Sequence, residues 1–510
     1  MKTAASLLAI ATMLAAPASW AAKEVPIGPA EVERSINPLL PGGGHAAIPL
    51  TIDKLMSLNR VSGLSVAVIH DYRLAWVKSY GVVAPGASER VTPRTLFLAG
   101  SVSKSVTAVG MMALVQQGRL SLDEDVNVKL KSWKVPENEF TRDQKVTLRR
   151  IASHTAGLTV FGFGGYAVGE PVPTVTQVLD GTPPANSPPV RVDRVPGTAY
   201  NYSGGGTTVE QLVMMDATGQ TFPAVMKLAV FDRLGMRDST FAQPLPRALE
   251  PRAASGVEAD GRMLAGRWHV FPEMGAAGLW TTPTDLARLA IDVARSVHGN
   301  GGRLLDQSSA REMLTAQPAT NGECGLGFYV YPQSPGAFVN NGADRGYQTM
   351  LRMNFETGEG AIIMANSENG FLVGTEYMEA IGNAYDWKVR PTKRKGGRTL
   401  VLIAKAVDID AALAAYEDLK QAPDAGDRPN EGSLAMLGDR LFEAGDRESA
   451  IKALERNVVD YPASAAARLA LGKAYAATSR NDLARDNFEK ALALDPASDA
   501  RTELEKLPPR

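Results

Sequence analysis

The stretch Phe97-Leu98-Ala99-Gly100-Ser101-Val102-Ser103-Lys104-Ser105-Val106-Thr107-Ala108 places a serine where a loop passes into a helix. Small residues precede Ser101, apolar side chains then recur at helical spacing, and Gly118 supplies a stop. Ser101 and Lys104 are three residues apart, so both side chains lie on one face of the first turn. A lysine there can assist a serine nucleophile, and the free N–H groups of a helix start favour an oxyanion. The same S-x-x-K pattern recurs at residues 449–452 in a predicted helix, so an ordinary helix start capped by Ser101 is the alternative.

Length and composition exclude some classes of function. The chain has 510 residues, enough for two or three domains, and its 45% hydrophobic and 21% charged residues are typical of globular proteins. A formal net charge of -1 gives no reason to expect nucleic acid as a partner. The five histidines are scattered without paired-ligand spacing, so neither a metal nor another cofactor is expected. The single cysteine, Cys324, cannot form an internal disulfide, and its glycine-rich setting favours a structural role over a catalytic thiol.

The N-terminus predicts export. A short basic start is followed by an apolar run over residues 4–16 and by small residues up to Ala22. We therefore predict a signal peptide at residues 1–21, a Pro- and Gly-rich linker at 22–45, and a periplasmic or secreted protein with no stable membrane span after cleavage. An uncleaved anchor is the alternative, but the run is short for a membrane span.

Strand patterns cluster at both ends of the next region. Residues 64–69 and 74–80 are predicted as an early hairpin, and 327–331, 347–355 and 360–365 as late strands, with helical patterns between them. This order predicts an α+β domain over residues 46–388, in which early and late strands form one sheet flanked by helices.

The C-terminal part contains an internal repeat. Leu437-Gly438 recurs as Leu471-Gly472, and Leu454 recurs as Phe488, each after 34 residues. This period resembles the tetratricopeptide repeat, a pair of helices, and predicts a small all-α domain over 408–510 that docks on the preceding domain or on a protein partner. Residues 389–407 are predicted as a linker with a basic start, and contact of its basic residues with an anionic surface is an alternative.

Two further stretches carry residues suited to catalysis. The first is Pro196-Gly197-Thr198-Ala199-Tyr200-Asn201-Tyr202-Ser203-Gly204-Gly205-Gly206, in which the Tyr202 phenol beside a lysine could pass protons between nucleophile and leaving group. The second is Asn340-Asn341-Gly342-Ala343-Asp344-Arg345-Gly346-Tyr347, a glycine-marked strand edge that could offer an N–H to an oxyanion. A half-buried aromatic and a plain turn are the alternatives for these two stretches.

Taken in this order, the stretches resemble the serine β-lactamase and penicillin-binding-protein superfamily, over about residues 48–387. The closest likeness is to the class C β-lactamases and their esterase and D-amino-acid peptidase relatives. The resemblance implies an exported serine hydrolase that forms an acyl-enzyme on Ser101, with Lys104 and Tyr202 as its proton-handling pair. It implies an oxyanion hole from the N–H groups of Ser101 and Ala343, and a structural role for His154. The positions it implies for substrate binding are Asn340, Gly342 and Gly204.

Two departures from the superfamily pattern bear on the substrate, which is expected to be a small molecule or a peptide. Gly204 stands where an asparagine is usual, and Asn340 stands where a lysine or histidine is usual. The missing cation removes a contact to a substrate carboxylate that is worth roughly 1.5–3 kcal/mol. We therefore predict weak β-lactamase activity and cleavage of an ester or a non-classical amide. The alternative is a weakly active protein that binds cell-wall peptide, whose repeats recruit a protein partner.

Overall fold

The computed structural model describes residues 27–299, 301–388, 396–422 and 428–509. The predicted signal peptide lies outside the described residues. The strands within them are β1 (Gly63–His70), β2 (Arg73–Gly81), β3 (Phe97–Leu98), β4 (Tyr166–Ala167), β5 (His269–Val270), β6 (Trp280–Thr281), β7 (Tyr329–Val330), β8 (Ala337–Asp344), β9 (Tyr347–Asn354) and β10 (Gly360–Ala365).

Early and late strands share one antiparallel sheet of order β2-β1-β10-β9-β8-β7. The first hairpin lies beside the last strand, with Leu64 opposite Ala365. The expected α+β class is therefore confirmed, because the two ends of the region pair across the helices that separate them in sequence.

Helices of the first 388 residues lie around this sheet. They are α1 (Pro29–Arg34), α2 (Ile52–Leu58), α3 (Val102–Gln116), α4 (Val126–Lys129), α5 (Leu148–Ala152), α6 (Val175–Asp180), α7 (Gly204–Thr218), α8 (Phe222–Met226), α9 (Asp232–Leu234), α10 (Met274–Ala277), α11 (Pro283–Val297), α12 (Gln307–Leu314) and α13 (Gly370–Ala384). Short 3₁₀ segments occupy Glu139–Thr141 and Glu250–Arg252, and a π-helical turn occupies Lys227–Phe231.

Strand β1 shows how the sheet separates two apolar layers. Val66 and Val68 belong to the cluster that contains α2 and α13, whereas Ala67 and Ile69 belong to the cluster that contains α3, α7 and α11. This alternation follows from the two-residue period of a strand and explains why the strand is buried on both faces. In the cluster that contains α3, α7 and α11, the start of α3 lies beside strand β8.

The C-terminal helices repeat with the expected period. They are α14 (Gly396–Ala406), α15 (Ile409–Lys420), α16 (Glu431–Glu443), α17 (Arg447–Asp460), α18 (Ala465–Ala477), α19 (Asn481–Leu494) and α20 (Ala500–Lys506). Both helices of the pair α16–α17 recur 34 residues later as α18–α19. A Cβ on Gly438 would lie 2.6 Å from the Leu454 side chain, and one on Gly472 would lie 2.5 Å from the Phe488 ring. The repeated glycine therefore lets the two helices of each pair approach closely.

Two segments predicted as linkers contain packed helices. Within the predicted linker 389–407, helix α14 buries Leu400 and Ile403 in the apolar cluster that contains α2 and α13. Within the predicted linker 22–45, helix α1 buries Val32 in the same cluster. Glycine and charged residues stand at the borders of both segments. The sequence pattern therefore indicated linkers, although each segment contains a helix with an apolar face. No helix in the described part of the chain is long and apolar enough to cross a membrane.

Candidate active site

Ser101 and Lys104 meet at the start of α3. Gly100, at φ 54°, turns the chain so that Ser101 takes the N-cap position without a capping bond from its side chain, and Lys104 follows one turn later. Lys104 is 6% exposed, and its Nζ donates to Ser101 Oγ at 3.2 Å and to the carbonyl oxygen of Ala276 at 2.7 Å. The buried amine is therefore held on the serine by a backbone acceptor from α10.

Helix α7 fixes that acceptor. Its Gln211 side chain donates to the carbonyl oxygen of Pro272 at 3.1 Å and accepts the N–H of Gly275 at 2.8 Å. These bonds hold α10 at both sides of its start, so the position of Ala276 depends on a helix distant in sequence. Sequence reasoning did not find Ala276, because a backbone carbonyl carries no side-chain signal.

Tyr202 completes a three-residue cluster around the Ser101 hydroxyl. Its OH donates to Ser101 Oγ at 2.7 Å, and Lys104 Nζ lies 5.2 Å from the centre of its ring. The next residue, Ser203, caps α7 by accepting the Gly206 N–H at 2.8 Å, so a helix start holds Tyr202 in place. The structure thus brings together the three side chains that the sequence analysis placed on separate stretches.

The His154 ring packs against the ring of Tyr202. The two ring centres are 4.3 Å apart, and His154 Nδ1 accepts the backbone N–H of Ser203 at 3.2 Å. Burial, and then the nearby charge of Lys104, lower the pKa of His154 to about 3. The ring is therefore neutral at physiological pH and braces the tyrosine.

The late glycine-marked strand lies against the nucleophile. A Cβ on Gly342 would be 1.9 Å from the Ala99 carbonyl oxygen and 3.0 Å from the Ser101 nitrogen. One on Gly100 would be 2.5 Å from the Ala343 nitrogen. The backbones of β8 and the serine turn are therefore in direct contact. This contact brings the backbone of Ala343 close to the turn that carries Ser101, as the expected oxyanion hole would require.

Asn340 points into the protein. It is 6% exposed, and its Nδ2 donates to Ser105 Oγ at 2.6 Å. The same nitrogen lies 3.4 Å from the Ser101 carbonyl oxygen and 3.5 Å from that of Gly327. Its amide hydrogens are thus directed at protein groups.

Gly204 is bordered by the aromatic loop at residues 161–166. A Cβ there would lie 3.1 Å from the Phe161 carbonyl oxygen and 3.2 Å from the Phe163 ring. The Phe161 ring is 75% exposed and its centre lies 4.8 Å from that of Tyr202. An exposed aromatic ring therefore lies beside Tyr202, and the loop that carries it borders Gly204, where the resemblance implies an asparagine amide.

Two acids, on the segments that carry Ala276 and Ala343, were not singled out from the sequence. Glu273, which precedes α10, is fully buried, and neither of its carboxyl oxygens has a hydrogen-bond partner among the described residues. Burial raises its pKa to about 8, and the neighbouring Asp344 adds to the shift. Burial likewise raises the pKa of Asp344 to about 7, although Lys104 opposes the shift. The sequence did contain a signal for Glu273, because it is an acid within the apolar stretch around Phe271.

No group of three or more His, Cys, Asp or Glu side chains able to hold a metal occurs in the described ranges. Cys324 is buried, and burial raises the pKa of its thiol to about 12, so it is a poor nucleophile.

Comparisons with known proteins agree with this geometry. A family model described as Beta-lactamase matches residues 50–381. The chain is 23% identical over 290 residues to the putative penicillin-binding protein PbpX of Bacillus subtilis strain 168, covering 55% of this chain and 65% of that protein, just under two thirds of its length. It is 25% identical over 319 residues to esterase EstB of Burkholderia gladioli, covering 56% and 78%. The beta-lactamase/D-alanine carboxypeptidase of Yersinia pestis, solved with citrate, shares the fold at a TM-score of 0.51 and 18% identity, covering 65% of this chain and 95% of that one.

Proposed function

The chain belongs to the beta-lactamase family, and we propose that it is an exported serine hydrolase that cleaves an ester or amide through an acyl-enzyme on Ser101. One observation carries the proposal. The Ser101 Oγ lies within hydrogen-bond distance of both Lys104 Nζ and the Tyr202 hydroxyl, at 3.2 and 2.7 Å. A nucleophile with a base in reach and an oxyanion hole beside it is the arrangement that acyl transfer needs.

The proposed chemistry has two halves. In the first, Ser101 Oγ bonds to the substrate carbonyl carbon while its proton passes to the pair of Lys104 and Tyr202. The N–H groups of Ser101 and Ala343 stabilise the oxyanion, the bond to the leaving group breaks, and the pair returns the proton to that group. In the second, water attacks the acyl-enzyme by the same route, and Ser101 regains its proton.

The surroundings of the serine favour a substrate that is uncharged beside the scissile bond. The Asn340 amide is directed at Ser105, so no cation from that position meets a substrate carboxylate. The exposed ring of Phe161 offers an apolar surface next to Tyr202. An ester, or an amide without an adjacent carboxylate, therefore suits the site better than a β-lactam or a D-alanine-terminated peptide.

Export and partner binding belong to the same proposal. The predicted signal peptide supports a periplasmic or secreted location. The helix pairs α16–α17 and α18–α19 support a tetratricopeptide-like region that binds a protein partner.

The test compares wild type with Ser101→Ala, using a fluorophosphonate probe, short-chain p-nitrophenyl esters and a chromogenic cephalosporin. Ser449→Ala, in the second S-x-x-K pattern, is the matched control and should behave as wild type. We expect covalent labelling and ester turnover that depend on Ser101, with little cephalosporin turnover. If wild type neither labels nor turns over any of these substrates faster than Ser101→Ala, the hydrolase proposal fails and the binding-protein alternative is favoured.

A further inference from the structure

We propose that Asn340 is a positioning residue, which clamps strand β8 to helix α3 through Ser105 and so fixes the spacing of the two oxyanion-hole N–H groups. This inference rests on the proposed function. Asn340 Nδ2 donates to Ser105 Oγ at 2.6 Å, and Ser105 Oγ donates to the Gly327 carbonyl oxygen at 2.6 Å. The chain of bonds therefore ties β8, α3 and the segment before β7 at one point.

The clamp lies on the face of β8 that meets the nucleophile. Asn340 and Gly342 are buried, whereas Asn341 and Ala343 between and after them are exposed. Residues two apart on a strand are separated by roughly 6.5 Å. Gly342 contacts the turn before α3, and Asn340 bonds to Ser105 one turn after the nucleophile. Two contacts at this separation fix both the distance and the tilt of the strand relative to Ser101.

Asn340 lies where β8 is no longer paired with β7. Strand β8 pairs with β9 along its whole length, but β7 pairs only with Phe338 and Val339. Asn340 is thus the first residue of β8 beyond the β7 ladder, and the Ala343 N–H lies three residues further along. Without the clamp, this end of the strand keeps the β9 ladder and the contact of Gly342 with the serine turn but loses its bond to α3, and small shifts would change the distance from Ala343 to Ser101.

The side chain is suited to this role by charge. Asn340 is buried and bonds to Ser105, the residue that follows Lys104. A neutral amide can be buried there at a lower desolvation cost than a charged side chain. The departure from the superfamily pattern thus exchanges a substrate-facing cation for a contact inside the protein.

The experiment measures kcat and KM for a p-nitrophenyl ester in Asn340→Ala, Ser105→Ala and the double variant. Asn341→Ala is the matched control, since it removes the same side chain at the next, exposed position. Misplacing one oxyanion donor lowers kcat strongly, so we expect kcat to fall roughly 10–100-fold in each single variant with KM within about threefold. The double variant should be no slower than the worse single variant, because both break the same contact. Asn341→Ala should keep the melting temperature and the hydrogen exchange of wild type.

A rise in KM with unchanged kcat in Asn340→Ala would show that the amide contacts substrate, and would overturn the proposal. Independent, additive losses in the double variant would do the same. Ser105→Ala removes a single oxygen atom, so it keeps the test valid if Asn340→Ala folds poorly.

Amide hydrogen exchange of the peptide spanning residues 97–105 provides a readout that does not need activity. It should speed up in Asn340→Ala and Ser105→Ala but not in Asn341→Ala. If wild type proves no faster than Ser101→Ala, the proposed function has failed. The exchange data then still decide whether Asn340 holds the turn, and unchanged exchange overturns the clamp.

Discussion

Acidification from pH 7 to pH 5 should lower the free energy of unfolding through His154. The substitution His154→Asn should remove the part of this decrease that comes from the histidine. The ring is buried, packs on Tyr202 and accepts the Ser203 N–H. Its pKa is lowered from 6.5 to about 3 by burial and then by the charge of Lys104. The folded protein therefore keeps His154 neutral over a range in which the unfolded chain binds a proton there.

The sign and size follow from this difference. Because the unfolded state binds more protons between the two pKa values, stability is present above pH 6.5 and is lost as the pH falls towards 3. For one group with these two pKa values, the free energy of unfolding should fall by about 2 kcal/mol between pH 7 and pH 5.

Urea unfolding of wild type and His154→Asn at the two pH values isolates this contribution, since the other titrating groups are common to both proteins. Asparagine tolerates the φ of 58° at this position, and its Oδ1 can accept the Ser203 N–H. The stability gap between wild type and His154→Asn should narrow by about 2 kcal/mol at the lower pH. A gap that moves by less than about 0.5 kcal/mol would refute the account of His154 as a buried neutral ring.

Four further changes test other parts of the site. Tyr202→Phe keeps the ring contacts but removes the hydroxyl on Ser101, so ester kcat should fall roughly 10²–10⁴-fold in steady-state assays while the melting temperature stays near wild type. Gly342→Ala places a Cβ against the Ala99 carbonyl oxygen, and kcat should fall at least roughly 10²-fold, whereas Gly162→Ala, with nothing within 4 Å of its added Cβ, should be neutral. Glu273→Gln should raise the melting temperature, more at pH 8 than at pH 5. The reason is that the native carboxyl keeps its proton up to a pKa of about 8 while the unfolded one loses it near 4.5, so wild-type stability falls as the pH rises through that range. Phe161→Ala should raise KM roughly 3–10-fold for esters with apolar acyl groups and leave kcat nearly unchanged, and an equal rise for acetyl and butyryl esters would contradict an apolar contact.

The sequence predicted the parts of the fold that local pattern controls. The early hairpin, the late strands and the 34-residue period each depend on spacing within one segment, and the structure contains each of them. The clustering of Ser101, Lys104 and Tyr202 followed from the order of several motifs. The catalytic roles of these residues stay predictions until activity is measured.

Features that depend on distant contacts could not be predicted. The Ala276 carbonyl lies 172 positions from the lysine it binds, and Asn340 lies 235 positions from Ser105. The expectation that Asn340 faces substrate came from its place in a motif, whereas the direction of its side chain depends on how β8 packs against α3. Helix α14 was interpreted as linker because basic and glycine residues precede its apolar face.

Helices α14 and α15 pack in the apolar cluster that contains α2 and α13, and this packing limits where the chain can be truncated. Leu400, Ile403 and Tyr416 share one apolar cluster with Val66 and Ile363. A stop codon between α13 and α14 would leave the N-terminal fragment with that surface in water, and the fragment should aggregate on expression. A truncation after α17 would keep the larger cluster whole and uncover only the α17 side of the smaller cluster, which is Ile451, Leu454 and Val458, so it marks the shortest fragment expected to stay in solution.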